Sequence, residues 1–188
     1  MKKRIAIQGN EGSFHHLAAM KHWGHDIAIR PCPSFEAVIA AVMESDETGL
    51  MAVENTIVGS IADNYALIRN HRLSVTAEIA LSIRQNLLAL PDTDLEDIRE
   101  IRSHPAALKQ CSVFLSPFGW KLVADCDTAT AAAEVARRQE KHIAAIGSGL
   151  AAELHGLQIL APGIQDDKQN QTRFWIIENT RHLPLGTL

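Results

Sequence analysis

The chain has 188 residues, 46% of them hydrophobic and 21% charged, enough to bury roughly two-thirds of the surface its unfolded form exposes. Its net charge is −4, and its basic residues are dispersed, unlike the clustered Lys/Arg face that a nucleic-acid backbone requires. The apolar run after "MKKR" stops at Gln8, too short for a signal segment or a membrane span, so the expectation is a cytoplasmic protein with neither nucleic-acid nor membrane partners.

Short β-branched runs alternate with Ala-rich stretches, the pattern of βα units around a largely parallel sheet. "RIAIQ" (4–8) predicts a first strand, followed by a Gly-containing turn and a helix over about 13–23. "IAIR" (27–30) predicts a second strand, and Ser34 can cap the helix "FEAVIAAVMES". "GLMAVEN" (49–55) gives a third strand and "IADNYALIRN" (61–70) a third helix.

"LSVTAEIALSIRQNLLAL" (73–90) is a long β-rich run without Gly or Pro, which predicts a strand that leaves one lobe and enters another. A second series follows: strands over 98–103, 120–126 and 142–148, with helices from Pro105, from Thr128 and over 149–155. The chain then returns through "LQILAP" (157–162) and a polar segment to "TRFWIIE" (172–178). The expected assembly is α/β, with two lobes facing a central cleft: residues 1–76 plus 163–188 in lobe 1, and 77–162 in lobe 2.

Cys32, Cys111 and Cys126 are an odd set without CxxC spacing, which argues against disulfides and thiolate metal sites. His22 and His25 lie at i, i+3 with the His15–His16 pair upstream, but no HExxH or carboxylate partner accompanies them, so no metal is expected.

Several strands end in small or hydroxyl residues that open a helix. Ser13 follows Gly9 and Gly12, Ser103 precedes a helix with Pro105 in its first turn, Asp127 or Thr128 offers a cap, and so does Ser148. Each is an ordinary cap taken singly. As a set facing one cleft, these helix N-termini would bind a small acidic ligand without lysines. Neither "GNEGS" nor any other segment reads as a dinucleotide fingerprint or a Walker loop. "VENTIVGS" (53–60) crowds Glu54, Asn55, Thr56 and Ser60 at a strand end, and His104 has no readable triad partner for acid–base work.

Taken in order, "GNEGSFHHLAA" (9–19), "VENTIVGSI" (53–61), "SHPAALKQC" (103–111), "DTATAAAE" (127–134), "AAIGSGLAAELHGLQIL" (144–160) and "NQTRF" (170–174) resemble the catalytic domain of prephenate dehydratase. That resemblance implies a fold like the type 2 periplasmic binding proteins, and a cofactor-free lyase reaction in which prephenate, a small dicarboxylate, loses CO2 and water to give phenylpyruvate on the route to phenylalanine. It assigns Thr172 as the catalytic residue. It associates Asn55, Ser103 and Gln110 with substrate binding or catalysis, with Thr128 and Arg173 near them, Arg173 being either a substrate clamp or a structural ion pair; Ser13 at its helix start and Thr56 at its strand end are added as substrate-binding candidates from their positions.

The chain departs from the family's usual pattern at Ala106 in "SHPAAL", at His15 where "GSFS" or "GSYS" is usual, and at Asp127 in "DTA". Family members commonly continue into a phenylalanine-binding ACT domain, which these residues do not include. A homo-oligomer, dimer or higher, is expected. Arogenate dehydration, decarboxylation of prephenate without aromatisation, and a non-catalytic small-anion module are the competing functions.

Overall fold

The computed structural model describes residues 2–45 and 47–179. The closing "RHLPLGTL" segment expected in lobe 1 lies outside them. The backbone divides into two compact units, Met1–Gly9, His15–Leu81 and Gln171–Leu188 in the first, and Asn10–Phe14 and Ser82–Asn170 in the second. The crossings fall at 81/82 and 170/171 instead of the expected 76/77 and 162/163, and Asn10–Phe14, expected in lobe 1, belongs to the second unit.

In the first unit, β1 (Lys3–Gln8), β2 (Ile27–Cys32), β3 (Thr48–Asn55), β4 (Gly59–Ser60), β5 (Ser74–Ser82) and β11 (Gln171–Glu178) form one sheet in the order β2-β1-β3-β11-β5, with β4 hydrogen-bonded to β3. β1 pairs in parallel with β2 and β3, whereas β11 runs antiparallel to β3. The sheet is therefore mixed and not largely parallel, because the strand that closes it is a returning chain without a crossover helix.

β3 is buried along nearly its whole length, as a central strand covered on both faces must be. Helix α1 (Phe14–Trp23) sets Ala18 and Ala19 against Ile5, Ile7, Leu50, Phe174 and Ile176 on one face. Helices α2 (Phe35–Ser45) and α3 (Ala62–Asn70) cover Met51, Val53 and Ile177 on the other. The Ser34 hydroxyl accepts from the Ala37 N–H at 3.3 Å, capping α2 as the sequence predicts.

The second unit holds β6 (Asn86–Ala89), β7 (Glu100–Ser103), β8 (Lys121–Ala124), β9 (Ile143–Gly147) and β10 (Gln158–Ala161) in the order β10-β6-β9-β7-β8. β7 is parallel to β8 and β9, while β6 is antiparallel to β9 and β10, so this sheet is mixed too. Helices α4 (Pro105–Gln110) and α5 (Ser112–Leu115) pack on one face, and α6 (Thr128–Arg138) and α7 (Gly149–His155) on the other, where Ala131, Ala132, Ala151 and Ala152 let the helices approach Leu88, Ile143 and Ala145 closely.

The run 73–90 is two strands instead of one. β5 ends at Ser82, and β6 begins at Asn86 in the other sheet. The intervening Ile83 and Gln85 satisfy their backbone through Asn170 and the Gln165 side chain, at 2.8 and 3.0 Å, which is why no Gly or Pro is needed to break the ladder.

Candidate active site

In each unit the sequence-nominated residues gather at one end of the sheet, the carboxyl end of its parallel strands, where α/β folds bind ligands. In the first unit that end carries the termination of β3 and the start of β11. Thr172 stands opposite Asn55, and Arg173 opposite Glu54, but Phe174 pairs with Ala52, so Val53 is an extra residue bulging from β3.

The bulge has a direct chemical effect. Strand side chains alternate between faces, so without it Asn55 would share a face with Val53 and Met51. The inserted residue flips everything after it to the opposite side. Asn55 thereby joins Thr172, Phe174 and Ile176 on the α1 face. The carbonyls freed by the bulge are satisfied from α3: Asn64, 2% exposed, donates its side-chain amide to Ala52 at 2.7 Å, and the Ile61 N–H donates to Val53 at 2.8 Å.

Asn55 donates through Nδ2 to the Thr172 hydroxyl oxygen at 2.9 Å and to the Gln171 carbonyl at 3.1 Å. Its Oδ1 accepts from the Ile57 and Val58 N–H groups at 3.0 and 3.1 Å. Because a carbonyl can only accept and an N–H can only donate, these partners fix the orientation of the amide. Thr172, 8% exposed, is thus an acceptor towards Asn55, and its own proton is directed elsewhere. Thr56 completes the grip: its N–H donates to the Gln171 carbonyl at 2.9 Å, and its hydroxyl accepts the Gln171 N–H at 3.0 Å.

Arg173 leaves the strand on the other face. Its guanidinium meets Glu54 at 3.3 Å and Glu78 at 3.4 Å, and Glu78 also accepts from the Trp175 indole at 2.9 Å. Two carboxylates already occupy it.

His15, on the first turn of α1, packs its ring edge-on to Phe174 at 5.0 Å and against Phe35 at 5.7 Å, and its Nε2 is buried without a hydrogen-bond partner. Burial pushes its pKa down to about 4, so the imidazole is neutral at pH 7.

In the second unit the corresponding end gathers the loop Asn10–Phe14 with the first turns of α6 and α7. Asn10 donates to the Thr130 hydroxyl at 2.9 Å, and Thr130 in turn donates to Asp127, which caps α6 by accepting the Thr130 N–H at 2.7 Å. Ser148 caps α7 by accepting from Ala151 at 2.9 Å, and its hydroxyl donates to the Gly12 carbonyl. Gly12 adopts φ +87°, and a Cβ there would lie 3.0 Å from the Ala151 Cα, so this approach requires glycine. Ser13 follows it, buried, and Thr128 opens α6, half-buried.

Ser103 and His104 do not play the parts their positions suggest. Ser103 is wholly buried and donates to the Ile146 carbonyl at 2.7 Å, locking the end of β7 to β9. The α4 cap is the His104 ring, whose Nδ1 accepts from Ala106 at 3.2 Å. The adjacent pair is therefore not a nucleophile held by its base. Gln110 ends α4 with its Oε1 accepting from Asn170 at 3.1 Å. Asn170, 1% exposed, was nominated by no local signal in the sequence beyond its place in "NQTRF". Cys111 beside Gln110 is buried, and that burial pushes its thiol up to about 12, so it is no nucleophile at neutral pH. Among the described residues no group of three His, Cys, Asp or Glu could hold a metal ion, and no helix is long and apolar enough to cross a membrane.

The family model described as prephenate dehydratase matches residues 5–182. The chain belongs to the prephenate dehydratase family. Arogenate dehydratase 1 from Petunia hybrida is 40% identical over 184 residues, which are 96% of this chain and 43% of that protein. Among solved structures, a prephenate dehydratase from Arthrobacter aurescens in complex with L-Phe has a TM-score of 0.86 at 25% identity over 98% of this chain and 63% of the other. A second, described as GqqA, a novel type of quorum quenching acylase, has a TM-score of 0.86 at 34% identity over 97% of this chain and 66% of the other. The chain spans less than half the length of the curated dehydratase relatives it matches.

Proposed function

We propose that this prephenate dehydratase family member converts prephenate to phenylpyruvate with loss of CO2 and water, and that Thr172 carries the leaving-group step. The C–C bond to the ring carboxylate breaks and its electron pair enters the ring. The C4 hydroxyl departs with the C–O pair and takes a proton to become water. Aromatisation drives the step, so the protein has chiefly to position the substrate and stabilise charge on the departing oxygen.

The observation that carries this reading is the Asn55–Thr172 hydrogen bond at 2.9 Å. A threonine hydroxyl is too weak an acid to titrate, yet as an oriented donor it strengthens as charge develops on the leaving oxygen. Asn55 supports that role by occupying the acceptor side of the hydroxyl and leaving its proton available. Asn55, Thr56 and Ser103 act by holding strand ends. Ser13, Thr128 and Gln110 contact the dicarboxylate, with N–H groups of the neighbouring helix turns receiving its negative charge. Arg173, paired with Glu54 and Glu78, is an ion-pair anchor for β11 and not a substrate clamp.

No cofactor enters this chemistry. The protein works in the cytoplasm as a homo-oligomer, dimer or higher. The Petunia relative's name supports a second reading, dehydration of arogenate, which differs from prephenate by an amino for a keto group.

Incubating the purified protein with prephenate and with arogenate, and identifying phenylpyruvate or phenylalanine, separates the two. Absence of both aromatic products above the uncatalysed rate overturns the dehydratase reading.

A further inference from the structure

Trp175 follows Thr172 by three positions, so the two side chains leave β11 on opposite faces. On the Trp175 side the helix α3 presents Ala62, Tyr65, Ala66 and Arg69, spaced at i, i+3, i+4 and i+7 and hence on one stripe. With Trp175 and Ser60 they line a trough of about 520 Å³ lying wholly within the first unit, inside the range of small-molecule sites, ~300–1,000 Å³.

The two aromatic rings meet edge to face at 4.8 Å and 89°. The Trp175 indole is fixed by its hydrogen bond to Glu78, and Glu78 is itself opposed by Arg173. The alanines keep the α3 wall low, which leaves the half-buried ring of Tyr65 reachable. Three polar groups point at no protein partner among the described residues: the Arg69 guanidinium, the Tyr65 hydroxyl and the Ser60 hydroxyl. A cation and two hydroxyls around an aromatic wall complement a ligand with a flat apolar body and one carboxylate.

We propose that this trough binds a small arylalkyl carboxylate, its ring against Trp175 and Tyr65 and its carboxylate on Arg69. The site shares the strand that carries Thr172 but none of the residues nominated for catalysis, and its occupancy requires no turnover.

The test uses the whole chain labelled with ¹⁵N, the Trp175 indole resonance assigned from Trp175→Phe, and 3-phenylpropionate as probe, with 3-phenylpropanamide as its neutral counterpart. The expected result is a saturable shift of that resonance by the carboxylate. Arg69→Gln, and the neutral probe on the wild type, are each expected to weaken binding measurably, by up to about fivefold, the upper end for a solvent-exposed ion pair. Ala66→Leu fills the trough and is expected to remove the shift, whereas Thr172→Ala leaves it unchanged. The amide spectra of each variant show whether it is folded. No saturable shift, equal binding of the acid and the amide, or binding that survives Ala66→Leu but is lost in Thr172→Ala would each overturn the proposal.

Discussion

Asn55→Ala removes at least four hydrogen bonds at once: two donated to Gln171 and Thr172, and two accepted from Ile57 and Val58. The Ile57 and Val58 N–H groups lie in an exposed turn where water can replace Asn55. The net loss is therefore about 2 kcal/mol, at ~1 kcal/mol for each bond that is not recovered. That is well within the ~5–15 kcal/mol of a folded domain, so the variant stays folded at 25 °C. Turnover falls as well, because the Thr172 hydroxyl loses the donor that fixes its acceptor side, but by less than the ~10²-fold that follows loss of a donor aimed at the reacting oxygen itself.

Asn55→Asp separates orientation from packing. The carboxylate has nearly the same shape and still accepts from Ile57 and Val58, but its second oxygen now faces the Gln171 carbonyl and captures the Thr172 proton. If Asn55 only fills space, Asp restores activity. If it leaves the Thr172 proton free, Asp is at least as harmful as Ala. The assay is kcat for phenylpyruvate formation from prephenate, with urea midpoints measured in parallel. A kcat for Asn55→Asp within about threefold of wild type, less than 1 kcal/mol in barrier, would refute the reasoning.

The remaining predictions concern stability. His15 has a folded pKa lowered to about 4 from an ordinary value of 6.5. The unfolded chain then binds the proton more readily, so stability is complete above pH 6.5 and is lost as pH falls from about 6.5 towards 4, by at most ~3 kcal/mol. His15→Phe should flatten that part of a urea-midpoint profile, and an unchanged slope would contradict the assignment. Ser103→Ala removes the hydroxyl that donates to the buried Ile146 carbonyl and should cost about 1–3 kcal/mol by urea denaturation. Gly49→Ala places a Cβ 2.7 Å from Val42 and 2.8 Å from Ile177 in the core, an overpacking worth about 1–3 kcal/mol and visible as a lowered Tm.

The order of strands and helices was legible because each βα unit carries its own period and punctuation, as at "IAIRPCPSFEAV". What was not legible depends on long-range pairing. The mixed character of both sheets follows from where the chain returns, which no local pattern encodes. The Val53 bulge is set by the register of β11 on β3, where Asn55 and Thr172 are 117 positions apart, and without it Asn55 faces the wrong side. Ser103 looked like a cap because it precedes Pro105. The structure gives that task to His104, whose imidazole reaches the Ala106 N–H, and turns Ser103 inward. Arg173 was open between two roles because a sequence does not say which face a residue takes beside a bulge, and its contacts with Glu54 and Glu78 support the structural role proposed above. The Asn170–Gln110 pair joins two amides 60 residues apart, for which no spacing rule exists.

Whether the Thr172 hydroxyl serves the leaving group is tested by single-turnover formation of phenylpyruvate from prephenate by the wild type, Thr172→Ser and Thr172→Ala. Thr172→Ser, which keeps the donor, is expected to stay within about tenfold of wild type, while Thr172→Ala falls by ~10²-fold or more with little change in substrate affinity. A Thr172→Ala rate equal to that of Thr172→Ser would contradict that role.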